Sequence, residues 1–300
     1  MKVFSTFFSK KLGKKIAENL SVPFGEIEKT VFPDGETRIR VKEMVVDENI
    51  VLVACPGSDP DSFYMELFFT VDALKRSGAS RVILVLPYLA YQRQDHEFRE
   101  GEAVSLDVIA KVLKNVGVSE LVTFDLHSIK IPEVFEIPVI HLSALPLFAK
   151  EIKKIGIKDS SLVSPDMGGI RRIKILSELL GNLPFATIEK DRDLESGKVS
   201  SIKHEGEIAK KVFIVDDVIS TGRTIEAAID LLKKNGAQDL YVFATHPVFS
   251  GNAKEILQNI DIKKIYVTDS IVVPKDKEFV SLAVLSIADT VSDKIQEFNL

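Results

Sequence analysis

The chain has 300 residues, 45% of them hydrophobic and 28% charged, with a formal net charge of −5 and a single cysteine, Cys55. That length holds about two domains of ordinary size, and the composition excludes a largely disordered chain. The acidic balance supplies no positive field to gather nucleic acid, and one cysteine excludes an intrachain disulfide and any CxxC-type zinc or redox centre.

In chain order, Lys10, Lys11, Lys14 and Lys15 interleave with Leu12, Ile16 and Leu20 at helical spacing. This predicts a first surface helix rather than a secretory signal, and with it a cytoplasmic protein. The longest apolar run, 82–86 before Pro87, falls far short of the ~20 residues that span a bilayer, so no membrane is expected. Apolar runs predict buried strands at 50–55, 81–86, 120–124, 161–163, 212–215, 240–245 and 264–267. Helical periodicity predicts helices at 62–77, 104–116, 169–180 and 221–235, with Gly78, Gly117, Gly181 and Gly236 as their stops. The alternation predicts an α/β fold on largely parallel sheets flanked by helices. Leu74-Lys75-Arg76-Ser77-Gly78-Ala79 is echoed 158 residues later by Leu232-Lys233-Lys234-Asn235-Gly236-Ala237, which predicts two similar domains. The expected division is 1–143 and 144–300, with a hinge near 138–146 after a strand at 140–142 and a terminal helix at 289–300.

Chemistry concentrates at strand ends. The strand at 212–215 leads into Asp216-Asp217, and Ser220-Thr221-Gly222-Arg223-Thr224 opens the next helix, where open α/β sheets place ligands. Backbone N–H groups there, with the hydroxyls of Ser220, Thr221 and Thr224, suit a phosphate dianion. The paired acids suit sugar hydroxyls or a hydrated cation. An ordinary helix cap with surface acids is the bland alternative. Ser164-Pro165-Asp166-Met167-Gly168-Gly169-Ile170-Arg171-Arg172 also follows a strand, and its adjacent glycines let backbone N–H groups approach phosphate oxygens. By residues alone, Phe32-Pro33-Asp34-Gly35-Glu36 is a turn between strands. No GxxxxGK[ST], GxGxxG or HExxH motif is present.

The run 212–224 resembles the sugar-phosphate loop shared by type I phosphoribosyltransferases and ribose-phosphate pyrophosphokinases. Five further segments resemble the second family: 32–36, Pro87-Tyr88-Leu89-Ala90-Tyr91-Gln92-Arg93-Gln94-Asp95, Thr123-Phe124-Asp125-Leu126-His127-Ser128, 164–172, and Thr187-Ile188-Glu189-Lys190-Asp191-Arg192. The resemblance implies two phosphoribosyltransferase-like domains, nucleotide contacts in the first and sugar and pyrophosphate loops in the second. It also implies transfer of the pyrophosphoryl group of ATP to ribose 5-phosphate, giving 5-phosphoribosyl 1-diphosphate (PRPP) and AMP. By that resemblance Phe32, Asp34, Glu36, Arg93 and Gln94 contact ATP, while His127 and Asp166 hold Mg²⁺. Asp166, Gly168 and Gly169 form the pyrophosphate loop. Asp216, Asp217, Ser220, Thr221, Gly222, Arg223 and Thr224 hold ribose 5-phosphate, and Lys190 and Arg192 are catalytic. An imidazole ligand for Mg²⁺ would not be predicted from coordination chemistry alone.

The family also implies a homo-oligomer in which the 32–36 loop acts on a neighbouring subunit. Ser220 stands where common members carry Asp, and the Ile-Ser-Thr-Gly form resembles the third, largely archaeal class. Arg223 replaces the small residue usual there. The polar stretch 193–207 has the composition of a closing lid, a solvated β-hairpin being its competitor. Two other readings stay open: a phosphoribosyltransferase that consumes PRPP, and a non-catalytic regulatory subunit that keeps the fold.

Overall fold

Val82-Ile83-Leu84-Val85 run on without a polar break, and all four are fully buried, as befits a central parallel strand covered on both faces. The computed structural model, which describes residues 1–192 and 199–298, places this run in the first of two units. That unit comprises Met1–Leu142 with Ser270–Val272 and Ser286–Leu300. In chain order it contains β1 (Lys2–Ser5), α1 (Lys10–Leu20), the hairpin β2 (Ile27–Val31) and β3 (Thr37–Val41), β4 (Asn49–Val53), α2 (Pro60–Arg76), β5 (Arg81–Val85), α3 (Ser105–Val116), β6 (Glu120–Phe124) and β7 (Val139–Leu142). Five strands form an all-parallel sheet in the order β1-β4-β5-β6-β7, and β2-β3 is a separate antiparallel pair.

The second unit, Ser143–Asp269 with Val273–Leu285, repeats this plan. It contains α4 (Leu145–Ile155), β8 (Ser160–Ser164), α5 (Ile170–Leu179), β9 (Phe185–Arg192), β10 (Val199–Gly206), β11 (Lys211–Ile219), α6 (Arg223–Lys234), β12 (Asp239–Pro247), α7 (Ala253–Asn259), β13 (Lys264–Thr268) and β14 (Leu282–Leu285). Its sheet order is β10-β9-β8-β11-β12-β13-β14, with only the β9-β10 pair antiparallel. Along β11, Val212 and Ile214 pack with Ile225, Ala228 and Ile229 of α6, whereas Phe213 and Val215 pack with Phe148 of α4 and Ile173 of α5. The period-2 alternation thus sends successive residues to two different apolar cores, so the strand reads as continuously hydrophobic.

The 158-residue echo has a geometric counterpart. Ala79 N–H donates to Leu74 and Ala237 N–H to Leu232, both at 3.1 Å, while Gly78 and Gly236 take φ of +96° and +92°. Both glycines end a helix in the left-handed region, which an L side chain rarely adopts. A further helix, α8 (Ala288–Gln296), lies in the first unit, where it packs on α1 and accepts a 2.9 Å hydrogen bond at Asp289 from Asn19. The expected division, which kept the terminal helix with 144–300, departs from this grouping. The sequence shows that Val291 and Ile295 form an apolar stripe, but not which partner covers it.

Two further expectations change in the structure. β11 continues to Ile219, so Asp216 and Asp217 lie inside the strand rather than beyond its end. Residues 199–206, read as part of a lid, form the strand β10, paired with β9 in the manner of the competing hairpin. Residues 193–198 lie outside the described residues.

Candidate active site

In the second unit β8 and β11 are parallel neighbours, so the segments that follow them leave the same edge of the sheet. Ser164 ends β8, and its hydroxyl donates to the Asp166 carbonyl at 2.8 Å, while Gly169 N–H donates to Asp166 Oδ1 at 3.2 Å. The turn has no room for a side chain at Gly169, where a Cβ would lie 2.2 Å from Ser164 Oγ. This tight turn delivers α5, whose first turn carries Arg172. The guanidinium spans both acids of β11: Nη1 lies 3.3 Å from Asp216 Oδ1 and Nη2 lies 3.3 Å from Asp217 Oδ2. Asp217 N–H also donates to Asp216 Oδ1 at 2.8 Å. Arg172 therefore brings together the Ser164–Arg172 segment and the acid pair, which the sequence holds more than forty residues apart.

Electrostatics make this junction costly. Burial, then the adjacent Asp217 charge and hydrogen bond, push the Asp216 carboxyl well above the usual carboxylate range. Arg172 opposes that rise, and Asp166 adds to it. Beyond the acids, Gly222 caps α6 at φ +81° with no side-chain hydrogen bond to the helix, and Arg223 and Thr224 begin the helix as exposed residues. The first N–H groups of a helix have no intrahelical acceptor, and the helix dipole favours an anion there. Thr221 is exposed, and Ser220 is half-buried with its hydroxyl 2.7 Å from that of Ser250.

Lys190 and Arg192 belong to β9, in register with Ile202 and Val199 of β10, and their side chains lie outside the described residues. Among the described residues no group of three or more His, Cys, Asp or Glu is arranged to hold a metal ion. Asp166 is exposed, with one oxygen tied to Gly169. A lone carboxylate of this kind fits Mg²⁺, which takes oxygen ligands, keeps several waters and shares substrate phosphates rather than needing a complete protein cage.

In the first unit, Phe32, Asp34 and Glu36 sit at the tip of the β2-β3 hairpin. Gly35 turns the tip at φ +91°, Asp34 Oδ1 accepts from Glu36 N–H at 3.1 Å, and the Arg38 guanidinium stands 5.5 Å from the Phe32 ring centroid. Lys29 of β2 pairs with the buried Glu66 of α2 at 2.6 Å, fixing the hairpin to that helix. Arg93 and Gln94 are exposed on the loop after β5. That loop is tied to α2 by Tyr64 donating to the Ala90 carbonyl at 3.0 Å and by Tyr91, at φ +67°, donating to Asp61. Gln94 Oε1 accepts from Ser105, at the start of α3, at 2.7 Å, and Ser105 with Gln94, His96, Phe98 and Glu102 of the loop lines an open cavity of about 400 Å³. The buried Gln92 accepts the His127 N–H at 2.8 Å, joining the Arg93 and His127 segments. Among the described residues no hydrogen bond or ion pair joins the hairpin tip to either segment. His127 belongs to the first unit and Asp166 to the second.

Sequence reading named neither Gln92 nor Ser250 as a site residue, and quoted Arg172 without assigning it a role. Arg172 carried a signal, a cation one turn into a helix that follows a double glycine and two acids short of a counter-ion. Gln92 and Ser250 carried none.

Comparison with known proteins agrees along the chain. The family model described as the N-terminal domain of ribose phosphate pyrophosphokinase matches residues 1–117, and the phosphoribosyl transferase domain matches residues 133–284. A "Ribose-phosphate pyrophosphokinase" of Corynebacterium ammoniagenes is 35% identical over 296 residues, covering 98% of this chain and 93% of that one. One from Bacillus caldolyticus is 34% identical over 297 residues, covering 98% and 93%. The crystal structure of phosphoribosylpyrophosphate synthetase from Mycobacterium smegmatis superposes with a TM-score of 0.88 at 32% identity, covering 98% of this chain and 97% of that chain.

Proposed function

Because the chain belongs to the ribose-phosphate pyrophosphokinase family, we propose that it transfers the pyrophosphoryl group of ATP to the anomeric hydroxyl of ribose 5-phosphate, releasing AMP and PRPP. The observation that carries this reading is the Arg172 fork, which holds the pyrophosphate-type loop and the acid pair at one sheet edge. A sugar bound there would meet Asp216 and Asp217 with its hydroxyls, while its phosphate meets the loop of Ser220, Thr221, Gly222, Arg223 and Thr224 through the loop's N–H groups and the exposed hydroxyls of Thr221 and Thr224. Backbone N–H groups around Gly168 and Gly169 suit the pyrophosphoryl oxygens.

The anomeric oxygen attacks the β-phosphorus of ATP in line, and AMP leaves on the opposite side. Such transfers depend on positioning and charge neutralisation more than on covalent help from the protein. Lys190 and Arg192 supply the cationic charge for the transition state. Phe32, Asp34 and Glu36 hold the adenine and ribose, with Arg93 and Gln94 on the nucleotide. His127 and Asp166 are the residues that would hold Mg²⁺, which when bound neutralises phosphate charge. The functional division is thus nucleotide contacts from the first half and sugar and pyrophosphate contacts from the second. Ser220 in the sugar-phosphate loop supports assignment to the third class, and the chain works as a cytoplasmic homo-oligomer.

The test is incubation of the purified protein with ATP, ribose 5-phosphate and Mg²⁺, with AMP and PRPP measured together. Stoichiometric AMP and PRPP support the reading. Consumption of PRPP with a nucleobase would assign a phosphoribosyltransferase, and a homo-oligomer without turnover would assign a regulatory subunit.

A further inference from the structure

Ser220 is the residue that sets this sugar-phosphate loop apart, and its hydroxyl already has a partner. It lies 2.7 Å from the Ser250 hydroxyl, on the segment between β12 and α7. Two backbone bonds flank that contact: Phe249 N–H to the Ile219 carbonyl and Ser250 N–H to the Ser220 carbonyl, both 3.0 Å. The Ser250 segment is itself held. Lys277 donates to the Phe249 carbonyl at 2.6 Å, and Phe249, 2% exposed, takes a left-handed φ of +44°. On its far side the loop presses against α7, where a Cβ at Gly222 would lie 3.2 Å from Leu257.

We propose that Ser250 is a positioning residue for the sugar-phosphate loop, and that Ser220 serves binding through a hydroxyl clip to Ser250 rather than as a direct phosphate ligand. This rests on the function proposed above and deepens it. The three bonds fix the loop before the anion arrives, so binding does not have to order it. The hydroxyls of Thr221 and Thr224, both exposed, remain for the phosphate itself.

The clip predicts non-additive loss. Ser220→Ala and Ser250→Ala each remove the same hydrogen bond, so each should weaken ribose 5-phosphate binding by about three- to ten-fold. The double variant should be no weaker than either single one, since contacting residues couple. Ser250→Thr keeps the hydroxyl and should restore binding. The dissociation constant of ribose 5-phosphate is measured by calorimetry without ATP, and the KM for ATP should stay unchanged. Thermal unfolding of each variant without sugar identifies any that fails to fold, and Ser250→Thr then decides. Losses that multiply in the double variant, or a Ser250→Ala protein that binds normally, would overturn the clip alone. Wild-type protein that binds no ribose 5-phosphate would overturn the proposed function and the clip together.

Discussion

Replacing Arg172 by Ala removes a guanidinium that spans two adjacent acids. Its side chain is 17% exposed and those of Asp216 and Asp217 are 10% exposed, so water cannot fully take over its role. Breaking a buried pair from one side typically costs about 3–5 kcal/mol. Contacts of 3.3 Å and relief through protonation of Asp216 place this case lower, at roughly 2–3 kcal/mol. For a unit of this size that corresponds to a Tm lower by about 5–10 °C. The assay is calorimetric unfolding without substrate across pH. Below the ordinary carboxylate range Asp216, whose carboxyl is held above that range, is protonated in folded and unfolded chains alike, and the guanidinium has less negative charge to meet. The deficit should therefore be small in acid and grow as pH rises. Arg172→Ala combined with Asp216→Asn should recover part of the loss, because one of the stranded charges is gone. An unchanged Tm at neutral pH, or a double variant no better than Arg172→Ala, would refute the counter-ion role.

Asp216→Asn alone should stabilise the sugar-free protein. A carboxyl whose folded pKa is raised favours the fold in acid and loses that contribution as pH rises through the folded value, whereas Asn does not titrate. The Tm difference should thus favour Asn increasingly towards neutral pH, by about 2–4 °C for a gain near 1 kcal/mol, while ribose 5-phosphate binds at least about ten-fold more weakly. Gln92→Leu leaves the His127 N–H without its acceptor and should raise the KM for ATP by about three- to ten-fold without moving that for ribose 5-phosphate. Gln92→Glu, which still accepts that hydrogen bond, should restore part of the loss in steady-state assays. Lys190→Ala should lower kcat by at least about a hundred-fold with both KM values nearly unchanged, and undiminished turnover would remove Lys190 from the transition state.

Local pattern made the framework legible. β5 and β6 are seen in sequence at their structural positions because a covered parallel strand is apolar on both faces and ends at a turn. The hairpin β2-β3 was legible at its turn, 32–36, but its strands were not placed. Its residues alternate as Thr37-Arg38-Ile39-Arg40-Val41, and a half-exposed pair of strands has no long apolar run to announce it. α4 and α8 carried helical stripes, yet the partner of each was invisible, since a stripe specifies burial and not what provides it. At the site, the glycines and paired acids were legible because backbone approach and charge demand particular residue types. Arg172, Gln92 and Ser250 act through distance in space, and nothing in a stretch such as Pro247-Val248-Phe249-Ser250 says that its hydroxyl will reach the loop after the neighbouring strand.

The repeated plan also bears on why the proposed sugar-phosphate site falls in the second unit. β1-β4-β5-β6-β7 corresponds strand for strand to β8-β11-β12-β13-β14, and in each unit a hairpin is inserted before the second sheet strand. The hairpins β2-β3 and β9-β10, one carrying the Phe32 tip and the other Lys190 and Arg192, are therefore topological counterparts. The strand-to-helix junctions that follow have diverged. In the first unit β4 runs into Ala54 and Cys55, both fully buried, and α2 is capped from within, Asp59 Oδ1 accepting the Ser62 N–H at 3.1 Å. In the second, β11 carries Asp216 and Asp217, and α6 starts from Gly222, which has no side chain with which to cap it. A helix start that has spent its N–H groups on its own carboxylate repels a second anion. One capped by glycine leaves those donors and the dipole to a phosphate, so the same scaffold is structural at one junction and suited to the proposed anion at the other.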